Sequence, residues 1–173
     1  MSGDMITYSE SKKIVLSDNF TLDEFLYSET AVALGIDNSM PRSYLPRIQY
    51  LVDTVLQPVR DRFGPIKITS GFRNPVLSVK IGSSIHSNHC FGFAADIEPY
   101  DKTIPLLDIL VFINDNLNYK ELIAEHFNKN PRLAGWVHVA AQDGNNKQEL
   151  KLLDNEHFYS RVDIDYISNI YAA

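Results

Sequence analysis

The sequence has little of what several classes of protein require. Cys90 is the one cysteine among 173 residues, which excludes an internal disulfide and any zinc module built on several thiolates. No segment approaches the roughly 20 apolar residues of a membrane-spanning helix, and the net charge of −6 reflects no excess of basic residues. We therefore expect no nucleic-acid binding and no membrane insertion, and we interpret Cys90 as a small buried residue.

The opening residues, MSGDMITYSESKK, lack the apolar segment of a secretory signal peptide. We therefore expect the protein to be made in the cytoplasm. With 45% hydrophobic residues, the chain is long enough to bury one core. Because no internal repeat, low-complexity segment or linker divides it, we predict a single domain that acts as a monomer.

Helical and strand patterns alternate along the chain. Apolar residues recur at three- and four-residue spacing from Ile48 to Phe63, with a kink expected at Pro58, and again from Leu106 to Ile113, where Thr103 is the expected cap. Strands are predicted for PIKIT, FAADI, YKELIAEHF and GWVHVAA, with the turn NKNPRLAG between the last two. The later segment NNKQELKLLDNEHFYSRV could carry a hairpin. These patterns predict helices and a sheet within one α+β domain.

One segment, SIHSNHCFGFAADIEP, holds a histidine and an aspartate seven positions apart. Gly92 and the FAADI run argue against a helix, so we place His89 on a loop and Asp96 on the following strand, facing away from the core. His138 lies on the corresponding face of GWVHVAA. Two imidazoles and one carboxylate are a familiar ligand set for catalytic zinc. Histidines in strands and aspartates at strand ends more often have structural roles, and that alternative stays open here.

Three motifs, SGFRNP, SNHCFGFAAD and GWVH, resemble in their order the D-alanyl-D-alanine carboxypeptidase-like zinc peptidases of bacteria and phages. The pattern of that family is a Ser-Gly-Tyr/Phe-Arg turn, a Ser-x-His followed after six residues by an aspartate, and a Trp-x-His strand. The resemblance covers residues 18–155. It implies an α+β fold with a small, mostly antiparallel sheet, helices on one face and a zinc cleft on the other.

The resemblance also implies roles for the matching residues. His89, Asp96 and His138 match the ligands of one zinc ion. Arg73 matches the arginine that contacts the substrate and its developing oxyanion, for which a guanidinium offers a pair of donors; a surface salt bridge is the alternative. Ser87 matches the serine of Ser-x-His and is expected to bind the substrate or to hold the ligand loop.

The chain departs from the family at the catalytic base. Several branches place an Asp or Glu, and one branch a His, three residues before the last ligand. Here that position is Gly135, which cannot transfer a proton. Glu125, at the end of ELIAE, is the candidate replacement, since relatives of this branch carry a glutamate there. A strand-edge glutamate, or one that supports a ligand histidine, is the alternative.

The motifs predict a zinc peptidase domain over residues 18–155, an N-terminal extension (1–17) and a C-terminal segment (156–173) packed on the domain or extending from it. By resemblance, the substrate is a stem or cross-link peptide of peptidoglycan. The protein would then act on the cell wall after release, as a bacteriophage endolysin, or as part of a phage particle. The alternative is a non-hydrolytic, zinc-containing module that binds wall peptides or serves a structural role in the virion. The sequence does not distinguish a carboxypeptidase from an endopeptidase, because the loops around the pocket decide this.

Overall fold

Helices and strands alternate along the chain, as the hydrophobic patterns predict. The structure, a computed structural model, describes residues 4–127, 135–153 and 159–171. The helices there are α1 (Tyr8–Ser11), α2 (Asp23–Leu26), α3 (Glu29–Leu34), α4 (Leu45–Leu51), α5 (Gln57–Phe63), α6 (Pro75–Lys80), α7 (Leu106–Asn116) and α8 (Ile164–Tyr171). The strands are β1 (Met5–Ile6), β2 (Met40–Pro41), β3 (Ile66–Ser70), β4 (Ala94–Pro99), β5 (Glu121–Glu125), β6 (Trp136–Ala140), β7 (Glu149–Leu153) and β8 (Tyr159–Arg161). None of these helices combines the length and the apolarity that crossing a membrane requires.

A six-stranded sheet in the order β3-β4-β6-β5-β7-β8 forms the centre of the fold. Its neighbouring strands run antiparallel, except that β5 and β7 are parallel. The antiparallel pair of β7 and β8 lies in the segment NNKQELKLLDNEHFYSRV, whose sequence is compatible with a hairpin. The turn predicted between β5 and β6 falls mostly on residues 128–134, outside the described residues. The predicted α+β fold with a mostly antiparallel sheet is confirmed.

The sheet has one apolar and one polar face because its side chains alternate. Leu122, Val137 and Val139 are fully buried on the face that α7 covers. His138 and Glu125 point to the opposite face, where a cleft opens. α7 and the cleft therefore lie on opposite faces of the sheet, and polar groups of several strands come together in the cleft.

α4 and α5 belong to one helical stretch that continues past Pro58. Between them, Val52–Leu56 forms a π-helical turn, in which the N–H of Gln57 donates to the carbonyl of Val52. Proline has no N–H, and its ring crowds the carbonyl four residues earlier in an α-helix. A wider turn relieves that crowding. The predicted helix is confirmed, and the irregularity expected at Pro58 is a π turn.

The start of α7 differs from the prediction. The Thr103 hydroxyl donates to Asp101 Oδ1 (2.8 Å) and caps no helix. The helix begins at Leu106, with Pro105 as the residue before it. A proline disfavours helical geometry in the residue that precedes it, so Ile104 cannot continue a helix begun at Thr103. The predicted cap is therefore wrong.

Both ends of the chain pack against the sheet and its helices. Ile6 is fully buried and Leu16 nearly so, and both belong to the main hydrophobic core. At the other end, Ile167 of α8 is fully buried, and the Tyr171 hydroxyl donates to the carbonyl of Phe127 (3.0 Å). The described parts of residues 1–17 and 156–173 thus contribute to the core, while the domain boundaries at 18 and 155 stay predictions.

Candidate metal centre

Three neighbouring segments bring the predicted ligands together. β4 carries Asp96 and pairs with β6, so that His138 lies directly opposite Asp96. His89 lies in a 3-10 turn just before β4, and Ser87 caps this turn by accepting a hydrogen bond from the His89 backbone N–H (3.4 Å). The loop and the two strands therefore deliver one side chain each to the same point of the cleft.

The three side chains present a triangle of possible ligand atoms. Asp96 Oδ1 lies 2.8 Å from His138 Nδ1 and 3.2 Å from His89 Nε2, and the two nitrogens are 3.1 Å apart. Tetrahedral zinc with ligands at about 2.0 to 2.2 Å separates the ligand atoms by about 3.3 to 3.6 Å, so small outward shifts suffice. All three residues are buried, and the neighbouring Cys90, buried as predicted, contributes no atom to the cluster. The arrangement and its donor types fit a zinc ion.

Hydrogen bonds on the outer side of His89 and Asp96 orient them toward the centre. The Nδ1–H of His89 donates to the carbonyl of Gly71 (2.6 Å), which leaves the Nε2 lone pair available for a metal. Asp96 Oδ2 accepts a hydrogen bond from Arg73 Nη2 (3.1 Å), while Oδ1 faces the two histidines. The ligand atoms are thus directed before any ion binds.

The charges of these groups also suit a cation. Burial disfavours ionisation of Asp96, but His89 and His138 keep the pKa of its carboxyl well below the usual range. Burial lowers the pKa of His89. It also opposes a charge on His138, but the hydrogen bond to Asp96 and the nearby carboxylate of Glu121 raise the pKa of His138 to about 9. A metal ion that bound here would displace the His138 proton and take over its pairing with Asp96.

Two glutamates of β5 flank the His138 ring. Glu125 Oε1 lies 4.0 Å from Nδ1, the nitrogen that belongs to the ligand triangle, and Glu121 Oε1 lies 3.4 Å from Nε2. Burial, assisted by the negative charge of Asp96, raises the pKa of Glu125 to about 7, although the charges of His138 and Arg73 oppose this shift. A bound divalent cation would lower this pKa again. The candidate base thus lies beside the ligand cluster.

Glu121 is a site residue that the sequence interpretation missed. Positions 121, 123 and 125 share one face of a strand, so the alternation that selected Glu125 selects Glu121 as well. Its carboxylate accepts hydrogen bonds from Asn88 Nδ2 (2.9 Å) and from the Lys151 ammonium. Although burial opposes it, His138 and Lys151 lower the pKa of Glu121 to about 2. The Lys151 contact was not predictable, because it depends on the pairing of β7 with β5.

Arg73 and Ser87 line the same cleft, which has a volume of about 640 Å³. The Arg73 side chain is only 12% exposed, and one of its nitrogens pairs with Asp96. Its Nε is buried and has no hydrogen-bond partner among the described residues. A buried donor of this kind is suited to an incoming oxygen atom. Ser87 caps the ligand turn, and a contact between Ser87 and a substrate stays a prediction.

Comparison with known protein families agrees with this geometry. A family model described as Peptidase M15 matches residues 18–129. The chain belongs to the Peptidase M15 family. M15 members are zinc-dependent peptidases of the D-Ala-D-Ala carboxypeptidase type. No curated protein matches the chain. The matched range includes Arg73, His89, Asp96 and Glu125, whereas the assignment of His138 rests on the motif and on the geometry of the cluster.

In this M15 peptidase, Gly135 is pressed against the backbone of the neighbouring strand. Its φ of 90° is one that residues with side chains rarely adopt. A Cβ added here would lie 2.4 Å from the carbonyl oxygen of Glu125 and 2.8 Å from that of His126. The position at which other branches carry their base therefore has no room for any side chain.

Installing the missing acid at this position should consequently damage the fold. We expect Gly135→Asp to lower the free energy of unfolding by about 2 to 4 kcal/mol, from backbone strain plus steric overlap. The matched control is Gly144→Ala, since Gly144 has φ 71° but no atom within 4 Å of an added Cβ, and we expect a loss of about 1 to 2 kcal/mol there. Denaturant unfolding of both variants measures the difference, and equal losses would contradict the steric explanation.

Proposed function

We propose that this protein is a zinc-dependent peptidase that cleaves stem or cross-link peptides of peptidoglycan. Membership of the Peptidase M15 family supports metallopeptidase chemistry. The observation that carries the proposal is the buried triangle of His89, Asp96 and His138 with Glu125 beside it, inside a cleft large enough for a peptide segment. Three protein ligands are the usual number for a single catalytic zinc, which keeps its fourth position for water or substrate.

Glu125 is the residue proposed to move the proton. When bound, zinc supplies a Lewis acid that polarises a carbonyl and lowers the pKa of a water molecule. Glu125 takes the proton of the attacking water and returns it to the leaving amine. Its burial, which raises its pKa toward neutrality, makes the carboxylate a better proton acceptor than an exposed glutamate.

Arg73 is proposed to bind the substrate oxygen on which negative charge develops. Its contact with Asp96 fixes the guanidinium, and its buried Nε has no hydrogen-bond partner in the described part of the chain. A donor fixed in a site that excludes water stabilises developing charge more than a solvated one. Ser87, which lines the same cleft, is proposed as a further substrate contact.

Removal of this guanidinium should reduce catalysis strongly but change zinc affinity only slightly. We expect Arg73→Ala to lower kcat/KM by about two to three orders of magnitude, as for the loss of an oxyanion donor. Arg73→Lys should rescue poorly, because an ammonium lacks the planar pair of donors. Zinc affinity should change by about tenfold or less, because two effects oppose each other. Loss of the nearby positive charge strengthens zinc binding, whereas loss of the contact that orients Asp96 weakens it.

Peptide-hydrolysis kinetics and a zinc titration check this expectation, with the exposed Arg62→Ala as the control variant. Loss of zinc binding or of the thermal unfolding transition in Arg73→Ala would show instead that the arginine is structural.

The proposed substrate is tested by digesting purified peptidoglycan with the zinc-loaded protein and analysing the fragments by mass spectrometry. We expect shortened or separated stem peptides, and none with Glu125→Gln. Loss of a terminal residue would indicate a carboxypeptidase, and new ends within cross-links an endopeptidase. Unchanged fragments, despite one bound zinc per chain, would favour a wall-peptide-binding or structural virion module. Release as an endolysin or carriage in a phage particle is the proposed route to the wall.

A further inference from the structure

Glu121 lies at the centre of a polar network on the outer side of the His138 ring. Its side chain is 18% exposed, and Lys151 donates to its Oε2. Its Oε1 accepts a hydrogen bond from Asn88 Nδ2 (2.9 Å), and the Lys120 ammonium in turn donates to Asn88 Oδ1 (2.8 Å). The carboxylate is thus held in place by groups of two other segments, Lys151 of β7 and Asn88 of the turn before β4.

The outer nitrogen of His138 needs an acceptor if the inner nitrogen binds metal. A neutral imidazole that coordinates through Nδ1 carries its proton on Nε2. This Nε2 is buried and has no aligned hydrogen-bond partner within the described ranges. Glu121 Oε1, at 3.4 Å, is the carboxylate oxygen beside it, whereas Glu125 lies beside Nδ1. A small rotation of the ring would align the Nε2–H with Glu121.

We propose that Glu121 is the positioning residue of the metal centre, which accepts the Nε2–H of His138 and so keeps Nδ1 directed at the ion. Without this acceptor, a rotation of the ring would exchange the two nitrogens. Lys151 and Asn88 hold the carboxylate in position, and Lys151 offsets its charge within the cleft. Asn88 and Lys151 bind the two oxygens of Glu121 on the side of the His138 ring that faces away from the ligand triangle. Glu125, the proposed base, lies instead on the side of the triangle. The inference rests on the zinc site of the proposed function.

The test measures the zinc dissociation constant by competition with a chelator. Glu121→Ala should weaken zinc binding by about 10- to 100-fold, the usual effect of losing an outer partner of a ligand histidine. Glu121→Gln should weaken it less, because its amide oxygen can still accept the N–H. The control is Glu149→Ala, since Glu149 pairs with the same Lys151 (3.4 Å) and with Arg161 but has no contact with His138. Its zinc affinity should stay within about twofold of wild type.

A second readout follows the His138 proton by ¹⁵N-detected imidazole NMR of the zinc-loaded protein. In the wild type the proton should lie on Nε2, and its signal should move when Glu121 becomes glutamine or alanine. If Glu121→Ala does not fold, the nearly isosteric Glu121→Gln decides: a shifted Nε2–H signal supports the inference, and an unmoved one overturns it. Wild-type zinc affinity in a folded Glu121→Ala would overturn this inference alone. Absence of zinc binding in the wild type would overturn the proposed function and the inference with it.

Discussion

Replacement of Glu125 by glutamine should lower the rate of peptide hydrolysis by about two to four orders of magnitude, the usual contribution of general acid–base catalysis. Glutamine keeps the size of the side chain and can keep polar contacts in the cleft, but it cannot accept the proton of the attacking water. Zinc content and melting temperature should therefore remain close to the wild-type values. Steady-state kinetics, metal analysis and thermal unfolding on the same preparation measure the three quantities.

The matched control for this variant is Glu98→Gln. Glu98 is two residues beyond Asp96 on β4, but it pairs with Lys102 (2.8 Å) near the surface and makes no contact with the ligand cluster. Its removal should leave turnover within about twofold of wild type. Undiminished turnover in Glu125→Gln would show that another group acts as the base. A loss of zinc in Glu125→Gln would show that Glu125 supports the metal and not the proton transfer.

Replacement of His138 by alanine should abolish stoichiometric zinc binding, and with it all turnover. The variant loses one of three protein ligands, and the two that remain are too few to hold the ion. His138 is the informative choice because it lies beyond the residues that the family model matches. The control is His86→Ala, since His86 is an exposed histidine of the loop that precedes His89. Metal analysis after gel filtration should give about one zinc per chain for the control and nearly none for His138→Ala.

A full complement of zinc in His138→Ala would remove this residue from the ligand set. The other two residues provide internal comparisons, because His89→Ala and Asp96→Ala should lose the ion as well. Asp96→Ala carries an additional cost, since it leaves the half-buried Arg73 guanidinium without its carboxylate partner. A loss of stability that is larger in Asp96→Ala than in His89→Ala is therefore expected.

The predictable part of the site depends on local properties of the sequence. The spacing of His89 and Asp96 lies within one loop and the strand that follows it, and strand alternation alone places Asp96 and His138 away from the core. The resemblance to a zinc peptidase family then made the three residues one ligand set. Asp96 and His138 are direct neighbours because β4 pairs with β6. Strand alternation is compatible with this pairing but does not predict it.

The missed features depend on contacts between distant segments. Alternation along β5 indicates that Glu121 faces the cleft, but its contact with Lys151 requires the parallel pairing of β5 with β7, which no local pattern indicates. At Gly135 the sequence shows an absent acid, whereas the structure shows a backbone packed too closely for any side chain. The wrong cap at Thr103 has a local cause, because Pro105 disfavours helical geometry in Ile104.

The most direct test of the zinc site is X-ray diffraction from crystals of the zinc-loaded wild-type protein, recorded on both sides of the zinc absorption edge. We expect one anomalous peak per chain, within about 2.0 to 2.2 Å of His89 Nε2, Asp96 Oδ1 and His138 Nδ1. The absence of a peak at these three atoms, or a single zinc bound elsewhere on the chain, would contradict the assignment.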